Sequence, residues 1–194
     1  TEIYTLSLHD ALPIWLRREA NWRESMESKR YENFPIGIVA LSNGVSLAIY
    51  GLGLYILSGL GIAVASAYLL YCLWMELTLL RGSCIHCYYY GKTCAFGKGR
   101  LCSLFFKRGD PQRFAQKEFS WKDMLPDLLV TLFPLVGGII LLIRQFDWLL
   151  LGAIVLLLGL TFAGNAVIRG TFACTHCKQR DQGCPAEQLF NKQA

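Results

Sequence analysis

The sequence predicts an all-α membrane protein, with four transmembrane helices forming two repeated hairpins, each followed by a cytosolic Cys-x-His-Cys-x6-Cys knuckle. Three observations carry that reading. The chain is 54% hydrophobic and 17% charged, with mean hydropathy +0.36, too oily for an ordinary soluble domain. Its apolar residues fall into four runs long enough to cross a bilayer core, which needs about 20 residues per helix. The same thiol and imidazole pattern occurs twice, as CIHCYYYGKTC at 84–94 and CTHCKQRDQGC at 174–184, each time just after an apolar run.

The opening TEIYTLSLHDALPI, residues 1–14, resembles the read-through translation of a common sequencing adapter and is set aside, together with His9 and Asp10. Removing its two acids raises the formal charge from +5 to +7. Residues 15–35 read as a cytosolic N-terminal segment, within which Met26 is a natural start.

The first hairpin, 36–80, comprises spans 36–59 and 60–80, joined by a tight turn at Ser58–Gly61. The second, 125–168, comprises spans 125–144 and 148–168, joined at Arg144–Asp147. Ala40, Gly44 and Ala48 recur every four residues, as do Gly59, Ala63 and Ala67, with Gly159 and Ala163 in the last span; small residues at this spacing let helix backbones approach in lipid. Pro134 is expected to kink the third span, Gly137 and Gly138 to loosen it, and Ser120 with Asp123 to cap its start just ahead of Pro126. Cys72, among Tyr71, Leu73 and Trp74, reads as a small buried hydrophobe. Glu76, an acid well inside a span, lies near Arg81 one turn from the end, so snorkelling or pairing with a neighbouring helix is expected, and no second buried charge suggests a transport pathway.

Orientation follows from the basic residues. Of 19 Lys and Arg, five precede the first span, nine lie in the loop 81–124 and four in the tail 169–194, leaving Arg144 alone on the other side. Short loops rich in Lys and Arg stay cytosolic, so both termini and the central loop are expected in the cytosol, in an integral protein of a prokaryotic inner membrane. A basic face of this kind suits anionic lipid headgroups. The loop segment AFGKGRLCSLFFKRGDPQRF, mixing Phe and Leu with Lys and Arg, suits the headgroup region, and Tyr88, Tyr89, Tyr90 and Trp121 suit the interfacial belt. No nucleic-acid module is recognisable, so nucleic acid is not an expected partner; a membrane or cytosolic protein partner is.

On the reducing side of a membrane, clustered cysteines point to metal ligation rather than structural disulfides. The x2 spacing pairs Cys84 with Cys87 and Cys174 with Cys177 on one tight turn; Cys94 and Cys184 follow in register as third ligands, and Cys102 offers a fourth to the first motif. Gly91 and Gly183 would let the backbone fold back. His86 and His176 share one motif slot. Each can complete the facing site or donate to a sulfur from behind it, against the plainer reading of a solvated residue. Both units hold an even number of spans, which makes them a parallel repeat and brings the motifs to one end of the bundle. The leading cofactor is zinc, in a structural or partner-binding role. The alternative is an iron–sulfur cluster in an electron-transfer subunit, to which Cys184-Pro185 also fits. Dithiol exchange lacks the βαβ context it usually has.

A stand-alone enzyme is not expected. Gly91-Lys92-Thr93 fails as a phosphate loop, because His86 stands where the first glycine is needed. The spans hold no histidine to ligate haem, and neither a Gly-x-Ser-x-Gly elbow nor paired carboxylates occur.

Overall fold

The computed structural model of the chain describes residues 30–116 and 121–184. The expectations for residues 1–29, Ser120 and Pro185 lie outside them. The described chain is helical, with four helices long and apolar enough to cross a membrane. In chain order the elements are α1 (Ile36–Ser58), α2 (Ile62–Gly82), α3 (Lys98–Phe105), α4 (Pro111–Ala115), α5 (Trp121–Arg144) and α6 (Trp148–Gly159).

Both tight turns form where expected. After α1, three successive amides, of Gly59, Leu60 and Gly61, bond carbonyls three residues back, and Gly61 takes φ +127°, open to a glycine. Asp147 caps α6, its Oδ1 accepting from the Leu149 amide at 3.0 Å. Helices α1 and α5 form the centre of the bundle, each packing against the other and against α2 and α6. One core cluster joins Ile49 and Ile56 of α1 to Ala153, Ile154 and Leu157 of α6; another joins Leu57 to Tyr68, Cys72 and Val130 of α1, α2 and α5. Cys72 is the buried small residue expected of it.

Of the expected small residues Gly59 makes a close approach, since a Cβ there would strike Leu141, and the other contacts are carried by glycines outside those rows. A Cβ at Gly44 or Gly159 would meet nothing within 4 Å, and Ala40, Ala48, Ala63, Ala67 and Ala163 are exposed, so the rows face outward apart from Gly59. Gly53, Gly137 and Gly138 sit at the contacts instead: a Cβ would collide with Tyr68 and Pro134 at Gly53, with Leu57 at Gly137 and with Ile154 at Gly138. The Gly137-Gly138 pair thus serves packing rather than loosening.

Helix α5 is one helical run through both Pro126 and Pro134 and starts at Trp121, five residues ahead of Pro126. Pro134 has no amide to offer the carbonyl four residues back, which is that of Val130. The hydroxyl of Tyr68 on α2 donates to that oxygen at 3.0 Å, and the hydroxyl of Tyr71 donates to the Pro126 carbonyl at 2.7 Å. In a bilayer core, where water cannot satisfy a stranded carbonyl, the tyrosine makes the proline tolerable.

The fourth apolar helix continues past residue 168, the expected end, to His176. Its second half widens into π turns at Leu160–Gly164 and Ile168–Ala173, on either side of a single α turn. Side chains bonding carbonyls four residues back accompany the widening, Asn165 Nδ2 on Thr161 at 3.1 Å and Thr171 Oγ1 on Val167. Thr131 of α5 and Thr161 bring their hydroxyls to 3.4 Å. Between 17 and 28% of the most apolar 18-residue window of each span is buried within the chain, which leaves most of its apolar surface exposed.

Replacing Tyr68 with Phe is expected to lower thermal stability in detergent by about 0.6–1.7 kcal/mol, the range for hydrogen bonds inside membrane bundles. The same change in a Pro134→Ala background, where the Ala amide can bond Val130, should cost almost nothing; equal losses in both backgrounds would contradict the pairing.

Candidate metal centre

Both motifs fold as the same turn at the same end of the bundle. Cys84–His86 and Cys174–His176 are short 3-10 turns, closed by the Cys87 and Cys177 amides on the Cys84 and Cys174 carbonyls at 3.3 Å each. A second turn follows, with the Tyr90 amide on Cys87 at 3.1 Å and the Arg180 amide on Cys177 at 3.3 Å. Gly91 (φ +76°) and Gly183 (φ +89°) then reverse the chain, as their positions suggested.

The motifs face each other through residues that occupy equivalent slots. Tyr88 and Lys178 each follow the second cysteine, and Tyr89 and Gln179 come next. The Tyr88 amide donates to Gln179 Oε1 at 2.6 Å, and the Lys178 amide donates to the Tyr89 hydroxyl at 3.0 Å. Each motif therefore gives an amide and takes one. The Tyr89 hydroxyl in turn donates to the Tyr31 carbonyl at 2.7 Å, while the Tyr31 amide donates to the His176 carbonyl at 3.1 Å. Residues 30–34 are thereby strapped across both motifs, helped by Phe34 on Thr93, the Arg30–Asp181 ion pair and Lys178 on Glu32 at 2.9 Å. Tyr89 and Gln179 are 1% and 4% exposed, so these are interior contacts. Tyr88–Tyr90 were read as interfacial anchors; Tyr89 is instead a buried hub, and the Tyr90 hydroxyl bonds the Phe106 carbonyl at 2.7 Å.

The thiols of the two motifs lie within electrostatic reach of one another: Cys84 feels Cys87, Cys94 and Cys102, Cys87 feels Cys94 and Cys184, and Cys177 feels Cys87, Cys174 and Cys184. Cys87, Cys94 and Cys177 pack on the buried cluster of Phe34, Tyr89, Ala95 and Ala173. Cys102 is fully buried on α3 and points its thiol at the Leu80 carbonyl, 3.6 Å away. All are free cysteines, and among the described residues no three His, Cys, Asp or Glu side chains converge as a metal cage. Backbone amides point at the sulfurs: those of Tyr89 and Tyr88 at Cys87, that of Gln179 at Cys177, and that of Gly99 at Cys94 Sγ, 3.4 Å away.

Burial pushes the Cys87 and Cys177 thiols up to about 11, with the neighbouring sulfurs adding to the rise and the amides opposing it. Such thiols are protonated at neutral pH. A cation would displace those protons, because the thiolate is the ligand.

The two histidines share a slot but not a setting. The His86 ring lies over Gly109, and its Nδ1 meets the Asp110 carbonyl at 2.8 Å, so Nδ1 carries the proton there. The His176 ring stacks on Tyr31, 5.1 Å between centroids, with Nδ1 beside Thr175 Oγ1 at 2.9 Å. Neither imidazole hydrogen-bonds a thiol among the described residues.

Glu76, expected to pair, does so with Lys98 Nζ at 2.6 Å and the Tyr50 hydroxyl at 2.7 Å rather than with Arg81. Tyr89, Gln179 and Lys98 carry no motif of their own in the sequence, and Tyr89 and Gln179 stand out only when the two motifs are laid over each other slot by slot. In comparisons with known proteins the chain matches no family model, no curated protein and no solved structure.

Replacing Tyr89 with Phe removes a buried hydroxyl that serves two segments and is expected to cost about 1–3 kcal/mol. Limited trypsinolysis should then cut at Lys178 and Arg180 faster than in the parent, with Tyr55→Phe as the neutral exposed control; an unchanged cutting rate would contradict the hub.

Proposed function

We propose that the chain is an integral membrane protein of two repeated hairpins, whose paired cysteine motifs bind zinc as a structural cap and present a basic cytosolic platform to anionic lipid and a protein partner. The observation that carries this reading is the reciprocal exchange between equivalent slots, Tyr88 to Gln179 and Lys178 to Tyr89. An exchange of that symmetry is what a duplicated unit meeting its copy about an axis along the membrane normal would make.

The donor set suits the ion. Soft thiolates select zinc or iron–sulfur chemistry over hard cations, and x2 pairs on tight turns are the usual zinc-holding device. Cys84, Cys87, Cys94 and Cys102 supply four sulfurs to one side; Cys174, Cys177 and Cys184 supply three to the other, with His86 and His176 as the nitrogen donors available. Amides aimed at Cys87, Cys94 and Cys177 would stabilise the charge that ion binding leaves on sulfur. The second motif carries two more residues between its Arg-Gly pair and first cysteine than the first does. The wide turns of Ile168–Ala173, which hold more residues per hydrogen-bonded loop than α turns, absorb that length.

Protein purified gently without oxygen is expected to be colourless, to contain stoichiometric zinc, and to release protons when the stripped chain is reloaded. Cys84→Ser and Cys177→Ser should each lower the zinc content. Brown protein containing iron and sulfide would replace the zinc reading with the iron–sulfur one, and protein with neither metal would overturn both.

A further inference from the structure

Helix α3 is only eight residues long, yet its two sides face different surroundings. On its inner side Lys98 holds Glu76 of α2, Gly99 lies so close to the Tyr89 and Lys92 carbonyls that a Cβ would strike them, and Cys102 is fully buried against Leu80. On its outer side Leu101, Leu104 and Phe105 recur at i, i+3 and i+4 and are 49, 79 and 72% exposed. Arg100, Lys107 and Arg108, all exposed, border that apolar face.

The contacts of α3 set its level. It lies alongside Glu76–Leu80 of α2, and a Cβ on Gly97 just before it would touch Val39 and Asn43 of α1. This is about one turn inside the ends of both spans, level with Leu77 and Leu79, exposed side chains of a helix apolar enough to cross a membrane. The apolar face of α3 is thus continuous with the surface that the spans offer to acyl chains. Cations beside it match the phosphates of an anionic leaflet, the arrangement of a helix lying in the interface plane.

We infer that α3 is an in-plane membrane helix: Leu101, Leu104 and Phe105 enter the acyl boundary of an anionic leaflet, and Arg100, Lys107 and Arg108 bind its headgroups. The assignment of α3 to the leaflet does not depend on which metal the cysteines bind, or on whether they bind one.

The full chain in phosphatidylglycerol nanodiscs tests it by amide hydrogen exchange. Residues 98–106 should exchange at least tenfold more slowly than in a Leu104→Glu/Phe105→Glu variant, while α1 and α2 exchange alike in both, showing that the variant is folded. Protection should weaken in phosphatidylcholine and in an Arg100→Gln/Lys107→Gln/Arg108→Gln variant. Equal exchange in parent and Glu variant would overturn the insertion, and equal protection in both lipids would overturn the headgroup role. Zinc analysis of the same samples separates the two readings: a protected α3 in metal-free protein counts against the metal centre alone, and a loaded but unprotected α3 counts against the membrane helix alone.

Discussion

One buried hydroxyl holds the cysteine-rich end of this protein together. The Tyr89 hydroxyl accepts a hydrogen bond from the Lys178 amide and donates one to the Tyr31 carbonyl, so that three segments far apart in the chain meet at one oxygen. The cost of leaving such a group unpaired in a dry interior makes the arrangement close to all-or-none. With the hydroxyl satisfied, the second motif is fixed against the first, and the N-terminal strap is fixed against both. The mirrored bond from Tyr88 to Gln179 then sets the angle at which the two turns face. That docking brings the thiols of one motif within electrostatic reach of those of the other.

The same rule, that a polar group removed from water must find a partner, organises the helices below. Pro134 strands a carbonyl, and Tyr68 answers it from the neighbouring helix. Glu76 is charged within a span and is answered twice, by Tyr50 from α1 and by Lys98 from α3. These polar contacts do more than satisfy individual atoms, because each also fixes the register of one helix on another. Lipid is as apolar as leucine, so hydrophobicity alone cannot choose among the ways four greasy helices pack. Close contact through Gly53, Gly137 and Gly138 and the tyrosine bonds make that choice.

How much of this is readable without coordinates depends on whether a feature is local. The four spans and their turns were legible, because hydropathy accumulates over about 20 residues and a turn announces itself by what interrupts it. The pairing of Glu76 was legible in kind, since an intramembrane acid must be answered, but not in partner, because Lys98 lies 22 positions away across a loop. The outward direction of Gly44 and Gly159 was not legible: a row of small residues is equally regular whether it meets a helix or lipid. Nor were the histidines, whose rings take up Asp110 in one motif and Tyr31 in the other despite a shared slot. The fourth helix outran its hydropathy limit because side-chain bonds to the backbone carry π turns past Ile168 into more polar sequence. The role of Tyr89 was hidden by composition, since a tyrosine beside a membrane span reads as an interfacial anchor until its hydroxyl is seen to be shared.

On the proposed reading, sulfurs from the two motifs act as one thiolate centre. X-ray absorption at the zinc edge on the purified, lipid-bound chain tests it most directly. The account predicts a first shell dominated by sulfur at about 2.3 Å, with at most a minor nitrogen contribution. A shell of oxygen and nitrogen near 2.0–2.1 Å, or sulfur scattering that persists after Cys84, Cys87, Cys174 and Cys177 are all replaced by Ser, would contradict it.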